Sequence, residues 1–150
     1  MALLEKELTT APTPENWQQA IRRLYDDVTD WAQEWLSQDG IAKTGSIHLS
    51  SIEVDDGVHS YTTQTLTVDA PPRPQRLAPK EEIVFEPKVL NPEAGVGFVD
   101  FFIYPAHHRV RLVYSFRDQT WATQTDSGLY WPHAWGQETF VEIAEGFLRA

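Results

Sequence analysis

The chain of 150 residues contains no cysteine. Disulfides, thiolate nucleophiles and cysteine-ligated zinc are therefore excluded. No run approaches the roughly 18 apolar residues that a membrane-spanning helix needs. The N-terminus, Met1-Ala2-Leu3-Leu4-Glu5-Lys6-Glu7, has neither the basic start nor the long apolar stretch of a secretory signal. These absences predict a cytoplasmic protein without membrane association. Positive charge is also scarce, with 12 Lys and Arg against 22 Asp and Glu and a net charge of −10. That balance disfavours nucleic acid as a partner, because phosphate backbones call for a basic surface. It suits solubility, a basic protein partner, or mimicry of a polyanion.

Catalytic signatures are missing as well. Gly-x-Ser-x-Gly is absent, so Ser127 between Asp126 and Gly128 reads as a turn residue. Gly95-Val96-Gly97 lacks the third glycine and the following helix of a phosphate loop. His107-His108 on a turn could reach one ion, but no HxH or HExxH accompanies them, and an exposed turn pair explains them. His48, His59 and His133 are scattered. No metal and no cofactor is expected.

What is present is a core-forming inventory: 41% hydrophobic residues, with six Trp, seven Phe and five Tyr. Residues 1–12 read as a flexible arm and residues 13–150 as a single domain. Thr13-Pro14-Glu15 opens a helix by capping, preset φ and dipole. Trp17, Ile21, Leu24, Val28, Trp31 and Trp35 then recur at spacings of three and four, one continuous stripe. Asp26, Asp30 and Glu34 line a solvated face, and Asp39-Gly40 stops the helix.

Residues 41–68 are β-branched and polar. A two-residue turn at Asp56-Gly57 would pair Val54 with His59 and Ile52 with Tyr61. Ile47 and Leu66 then fall on the opposite face, so the two ends of this hairpin bury different sides or both strands carry bulges. Residues 69–92 hold six of the ten prolines and read as an extended connection. Pro71-Pro72-Arg73-Pro74-Gln75-Arg76 within it matches the pattern bound by SH3-type domains, a short and common one. Ile83-Val84-Phe85 reads as an edge strand, since Pro87 is tolerated there, and residues 91–95 as a turn.

Phe98 to Asp126 reads as a three-stranded antiparallel meander. A four-residue loop at 105–108 pairs Ile103 with Val110, Phe101 with Leu112 and Val99 with Tyr114. A second at 117–120 pairs Phe116 with Trp121 and Tyr114 with Thr123. One register then sorts nearly all large apolar residues to one side. A final helix spans about 137–148, with Phe140, Val141, Ala144, Phe147 and Leu148 as its stripe. The expected fold is α+β: an N-terminal helix, an antiparallel sheet of five or six strands built from a hairpin and a meander, and a C-terminal helix, in two layers. Element order alone resembles cystatin-like and NTF2-like arrangements of a helix across a curved meander, although the terminal helix fits neither, and no family motif is present.

Two candidate surfaces follow. The reverse of the meander carries Phe98, Asp100, Phe102, Arg111, Gln124 and Asp126, with Arg111 beside Phe102 and Asp126, Asp100 diagonal to it, and Tyr104 flanking Arg109. Arginine forks bind carboxylate or phosphate, and the aromatics stack, so this wall is a candidate ligand site. The competing account is a cross-strand ion pair on a half-exposed sheet. The second surface is the aromatic run Leu129, Tyr130, Trp131, His133 and Trp135, which reads as a partner-binding anchor or as a plug over the core. The leading expectation is a non-enzymatic protein-interaction module: an adaptor, a chaperone-like protein or an inhibitor or immunity-type protein, with an unidentified protein partner and room for a homodimer. The alternatives are a small-ligand binder or hydrolase-like enzyme using the Arg111 face, and a polyanion mimic.

Overall fold

A computed structural model of the chain describes residues 11–38, 47–55, 57, 60–69, 81–104, 109–124 and 133–149. Residues 1–10 of the expected arm over 1–12, the helix stop at Asp39-Gly40, residues 70–80 of the proline-rich connection and the histidines at 107–108 lie outside the described residues. Helix α1 (Pro14–Gln38) is followed by β1 (Ile47–Asp55), β2 (Ser60–Asp69), β3 (Glu82–Asn91), β4 (Val96–Tyr104), β5 (Arg109–Ser115), β6 (Thr120–Gln124), the two-residue β7 (His133–Ala134) and α2 (Gln137–Arg149). The strands form one antiparallel sheet in sequence order, β1 through β7. The architecture is α+β, as the element order predicts. Among the described residues, no helix is long and apolar enough to cross a membrane.

Helix α1 starts where the sequence indicates. The Asn16 amide donates to Thr13 Oγ1 at 3.3 Å, and the Trp17 amide to the Thr13 carbonyl at 2.9 Å. Its apolar stripe is broader than the large residues alone suggest. Ala20, Tyr25, Ala32 and Leu36 join Trp17, Ile21, Leu24, Val28 and Trp35 among the buried residues, while Trp31 is partly buried. Asp26, Asp30 and Glu34 are exposed. Glu34 accepts a 2.7 Å hydrogen bond from Gln137 Nε2, which ties the end of α1 to the start of α2.

Both helices cover the same face of the sheet. Phe140 of α2 lies against Trp31 and Trp35 of α1 and against Phe85 and Phe101 of the sheet. At the other end, Trp17 packs on Tyr114, Phe116 and Trp121 and donates from Nε1 to the Tyr61 hydroxyl at 2.8 Å. This indole lies directly on Gly97. A Cβ there would sit 2.5 to 2.7 Å from three ring atoms, so only glycine admits this approach.

The strand registers differ from the sequence expectations by a constant two residues. In the first hairpin Val54 pairs with Tyr61 and Ile52 with Thr63, so the loop is four residues, 56–59, and not two. Asp55 Oδ1 accepts from the Gly57 amide at 3.0 Å, and Gly57 has φ 86°, so the turn is built around the Asp55 side chain. His59 lies outside the described residues. The pairing runs unbroken from Ile47 to Asp55. Val54 and Thr63 are buried near the tip, and Leu66 and Val68 on the opposite parity near the base. The two ends thus do bury different sides, by strand twist and without a bulge between β1 and β2.

β3 is a central strand of ten residues and not a short edge strand. Pro87 is accommodated because the ladder to β2 stops at Leu66 and Phe85, and the register to β4 shifts between Pro87 and Val89. The turn at residues 92–95 is present, with Gly95 at φ 67° and the Ala94 amide donating to Asn91 Oδ1 at 3.2 Å.

In the meander, Phe101 pairs with Val110 and Val99 with Leu112, while Tyr114 pairs with Trp121 and Leu112 with Thr123. Phe116 therefore belongs to the β5–β6 turn and not to a strand pair. It is nonetheless 1% exposed, its amide donates to the Gly95 carbonyl at 3.0 Å, and Gln119 closes the turn at φ 54°. A shift of two leaves each side chain on its expected face.

Tyr25 locks α1 to the sheet. Its hydroxyl donates to the Gln64 carbonyl at 2.6 Å and also lies 3.2 Å from the Phe85 carbonyl. Burial, with a smaller contribution from Glu86, raises its pKa above the ordinary 10.0. The neutral phenol is the form the fold holds, so the unfolded chain ionises first as pH rises. The sign is destabilising: above pH 10.0 the chain loses about 1.4 kcal/mol of stability per pH unit from this group. We expect Tyr25→Phe to be less stable near neutral pH by about 1–2 kcal/mol. Its denaturation midpoint should fall less steeply than that of the wild type in the alkaline range, as chemical unfolding across a pH series measures.

Candidate functional site

The outer face of the sheet, turned away from both helices, is set by alternation along β4, β5 and β6. It holds Val96, Phe98, Asp100, Phe102 and Tyr104 from β4. Arg109, Arg111, Val113 and Ser115 come from β5, and Thr120, Ala122 and Gln124 from β6. The two-residue slide in register changes the neighbours. Arg111 stands directly opposite Asp100 on one side and Gln124 on the other, and Phe102 stands opposite Arg109. Gln124 holds the place opposite Arg111 where the sequence expectation sets Asp126, and Asp126 itself lies outside the described residues.

Asp100 is the centre of this face. It is 0% exposed, a carboxylate sealed beneath side chains that themselves reach water. Arg111 Nε donates to Oδ1 at 3.0 Å and Arg109 Nη1 to Oδ2 at 3.3 Å. Two guanidiniums on one carboxylate leave one excess positive charge. Each guanidinium also lies over an aromatic ring: Arg111 is 5.3 Å from the centroid of Phe98, and Arg109 is 5.5 Å from that of Phe102. An aspartate without solvent needs such partners, because an unpaired buried charge costs several kcal/mol. The cluster is thus held from below by Asp100 and from the sides by two rings. On the neighbouring strand Glu86, opposite Asp100, has its own partner in Lys88 at 3.1 Å.

Beside this cluster runs an open groove of about 630 Å³. Arg111, Phe98 and Gln124 line one part of it, with Val96, Val113 and Ala122 along the floor. Asn91, Ser115, Asp118 and Thr120 lie toward the two turns. Phe102 and Asp100 do not line it. Arg111 keeps 43% side-chain exposure, and its two Nη groups have no protein partner among the described residues. Ser115 caps the β5–β6 turn, its Oγ accepting from the Asp118 amide at 3.3 Å. Sequence reading misses Asn91, Val96, Val113 and Asp118 as groove residues. Alternation along β5, which puts Val113 and Ser115 on the face of Arg111, is the available signal, but the turns that close the groove depend on register.

The aromatic run fares differently. Leu129, Tyr130 and Trp131 lie outside the described residues, as does the side chain of His133. Trp135 is described, and its ring contacts Trp31, Phe85, Phe101 and Phe140. It is part of the interior packing, with a buried Nε1 that has no hydrogen-bond partner among the described residues.

If Asp100 organises the outer face, Asp100→Asn should lower stability by about 2 kcal/mol, since two charge-assisted hydrogen bonds weaken and an amide N–H meets a guanidinium. Asp118→Asn, at an exposed turn, should be nearly neutral. Equilibrium denaturation of both variants checks this. In comparisons with known proteins, the chain matches no family model, no curated protein and no solved structure, so the geometry of this face is what bears on function.

Proposed function

We propose that this protein binds a small organic anion, a carboxylate or phosphate joined to an apolar body, in the groove on the outer face of the sheet. The observation that carries this reading is Arg111, a guanidinium fixed by Asp100 and Phe98, whose Nη donors have no partner among the described residues and stand at the wall of the groove. A donor fork immobilised before the ligand arrives loses little side-chain entropy on binding, which favours affinity. Gln124, opposite Arg111, supplies a second polar contact. Val96, Phe98, Val113 and Ala122 supply apolar contact for the rest of the ligand.

Binding without turnover is the form of the proposal. The Ser115 hydroxyl in the groove has a neighbouring carboxylate, Asp118, and the two are engaged with each other across the β5–β6 turn. Among the described residues, the groove lining holds no histidine to act as a base. This reading departs from the interaction module that composition alone favours, because Trp135, one of its expected anchors, packs in the interior.

A thermal-shift screen of carboxylated and phosphorylated metabolites tests the proposal. A specific ligand should raise the melting temperature in proportion to its concentration. Arg111→Met, which keeps the apolar stem over Phe98, should weaken that ligand about tenfold to a hundredfold, the worth of one charge-assisted contact. Failure of every anion to shift the melting temperature, or equal affinity in Arg111→Met, would reject the proposal.

A further inference from the structure

Far from this groove, at the opposite side of the sheet, β1 is first in the strand order and is paired only with β2. Among the described residues no strand lies along its other side. A free edge of this kind presents alternate N–H and C=O groups to any extended chain. Protein edges are ordinarily blunted by shortness, by proline, by charged side chains, by a bulge or by a covering segment. β1 is neither short nor bulged, and its two carboxylates, Glu53 and Asp55, lie at one end. It runs nine residues, Ile47–Asp55, in unbroken register, and its sequence contains neither lysine nor proline. Residues 48–51, 53 and 55 are exposed, including Leu49 at 54%.

The chemistry of the edge selects its occupant. Neither strand of the hairpin carries Lys or Arg. One face of β1 reads Ile47, Leu49, Ser51, Glu53, Asp55, apolar at one end and acidic at the other. A second copy of this chain is a poor fit. Antiparallel self-pairing about Ser51 would set Glu53 and Asp55 opposite Leu49 and Ile47 of the second copy, between two bodies that each carry a charge of −10. A strand that is apolar opposite Ile47 and Leu49 and basic opposite Glu53 and Asp55 satisfies both ends. We infer that the free edge of β1 docks an extended, basic segment of another protein, added as a further strand of the sheet.

The test uses the whole chain, labelled with ¹⁵N, and an acetylated peptide reading Lys-Thr-Lys-Thr-Thr-Thr-Val-Thr-Val. Two control peptides accompany it: one with glutamate for lysine, and one that keeps both lysines but has proline for two central threonines. The lysine peptide should shift the amides of Ile47–Asp55 and slow their exchange with solvent. The glutamate and proline peptides should bind at least tenfold more weakly, as should the lysine peptide with Glu53→Lys/Asp55→Lys. The glutamate peptide tests the charge term on the unaltered protein, should that double variant fail to fold. Equal binding of the lysine and proline peptides, shifts confined to other strands, or uniformly slow exchange along β1 in the free protein would each overturn the inference.

Discussion

A carboxylate with no exposed surface has to be neutralised where it stands, and the outer face of this sheet is arranged around that requirement at Asp100. Both oxygens are taken, one by each arginine. The arginines in turn cover the carboxylate and lie over Phe98 and Phe102. An ion pair on an open sheet ordinarily contributes little, because water competes for both members. Here water is excluded from one member only. The result is a firmly held anion below and two half-exposed cations above, one of which borders the groove.

That arrangement depends on a rigid platform, which the inner face supplies. α1 and α2 lie on the same side, and their aromatic residues interlock with those of β3, β4, β5 and β6. Phe85 and Phe101 stack at 4.3 Å, with Phe140 and Trp135 around them. At the other end Trp17 rests on Gly97, in the same strand as Asp100 and three residues before it. Fixing β4 from the core side fixes the carboxylate on the reverse. Stacked and edge-to-face rings of this kind add about 0.5–1.5 kcal/mol per pair beyond burial, and their geometry limits sliding of the strands.

How much of this can be read in the sequence follows from the period of a strand. Alternation assigns each residue to a face, so the polar and aromatic wall of Phe98, Asp100, Phe102, Arg111 and Gln124 is legible without coordinates. The helical stripe of α1 and the turn after Asn91 are legible for similar local reasons. Register is not, because a slide of two residues leaves every face unchanged while exchanging every neighbour. Two local features accompany it in the first hairpin and in the β5–β6 turn: the Asp55 side chain widens the one, and Phe116 enters the core from the other. Neither has a periodic signature. Between β4 and β5 the same two-residue slide sets Arg111 directly opposite Asp100, where diagonal contact is the sequence expectation. The central placement of β3 is hidden for another reason, since Pro87 argues for an edge until the partial ladder of β2 is seen.

Arg111 must be held in place before any ligand is present. Side-chain ¹⁵N NMR of the arginines in the free protein examines that directly. A guanidinium fixed by a carboxylate without solvent access and by an aromatic ring should give a resolved, slowly exchanging Nε–H signal and distinct Nη signals from hindered rotation. Nε–H exchange as fast as in free arginine, with averaged Nη signals, would contradict it.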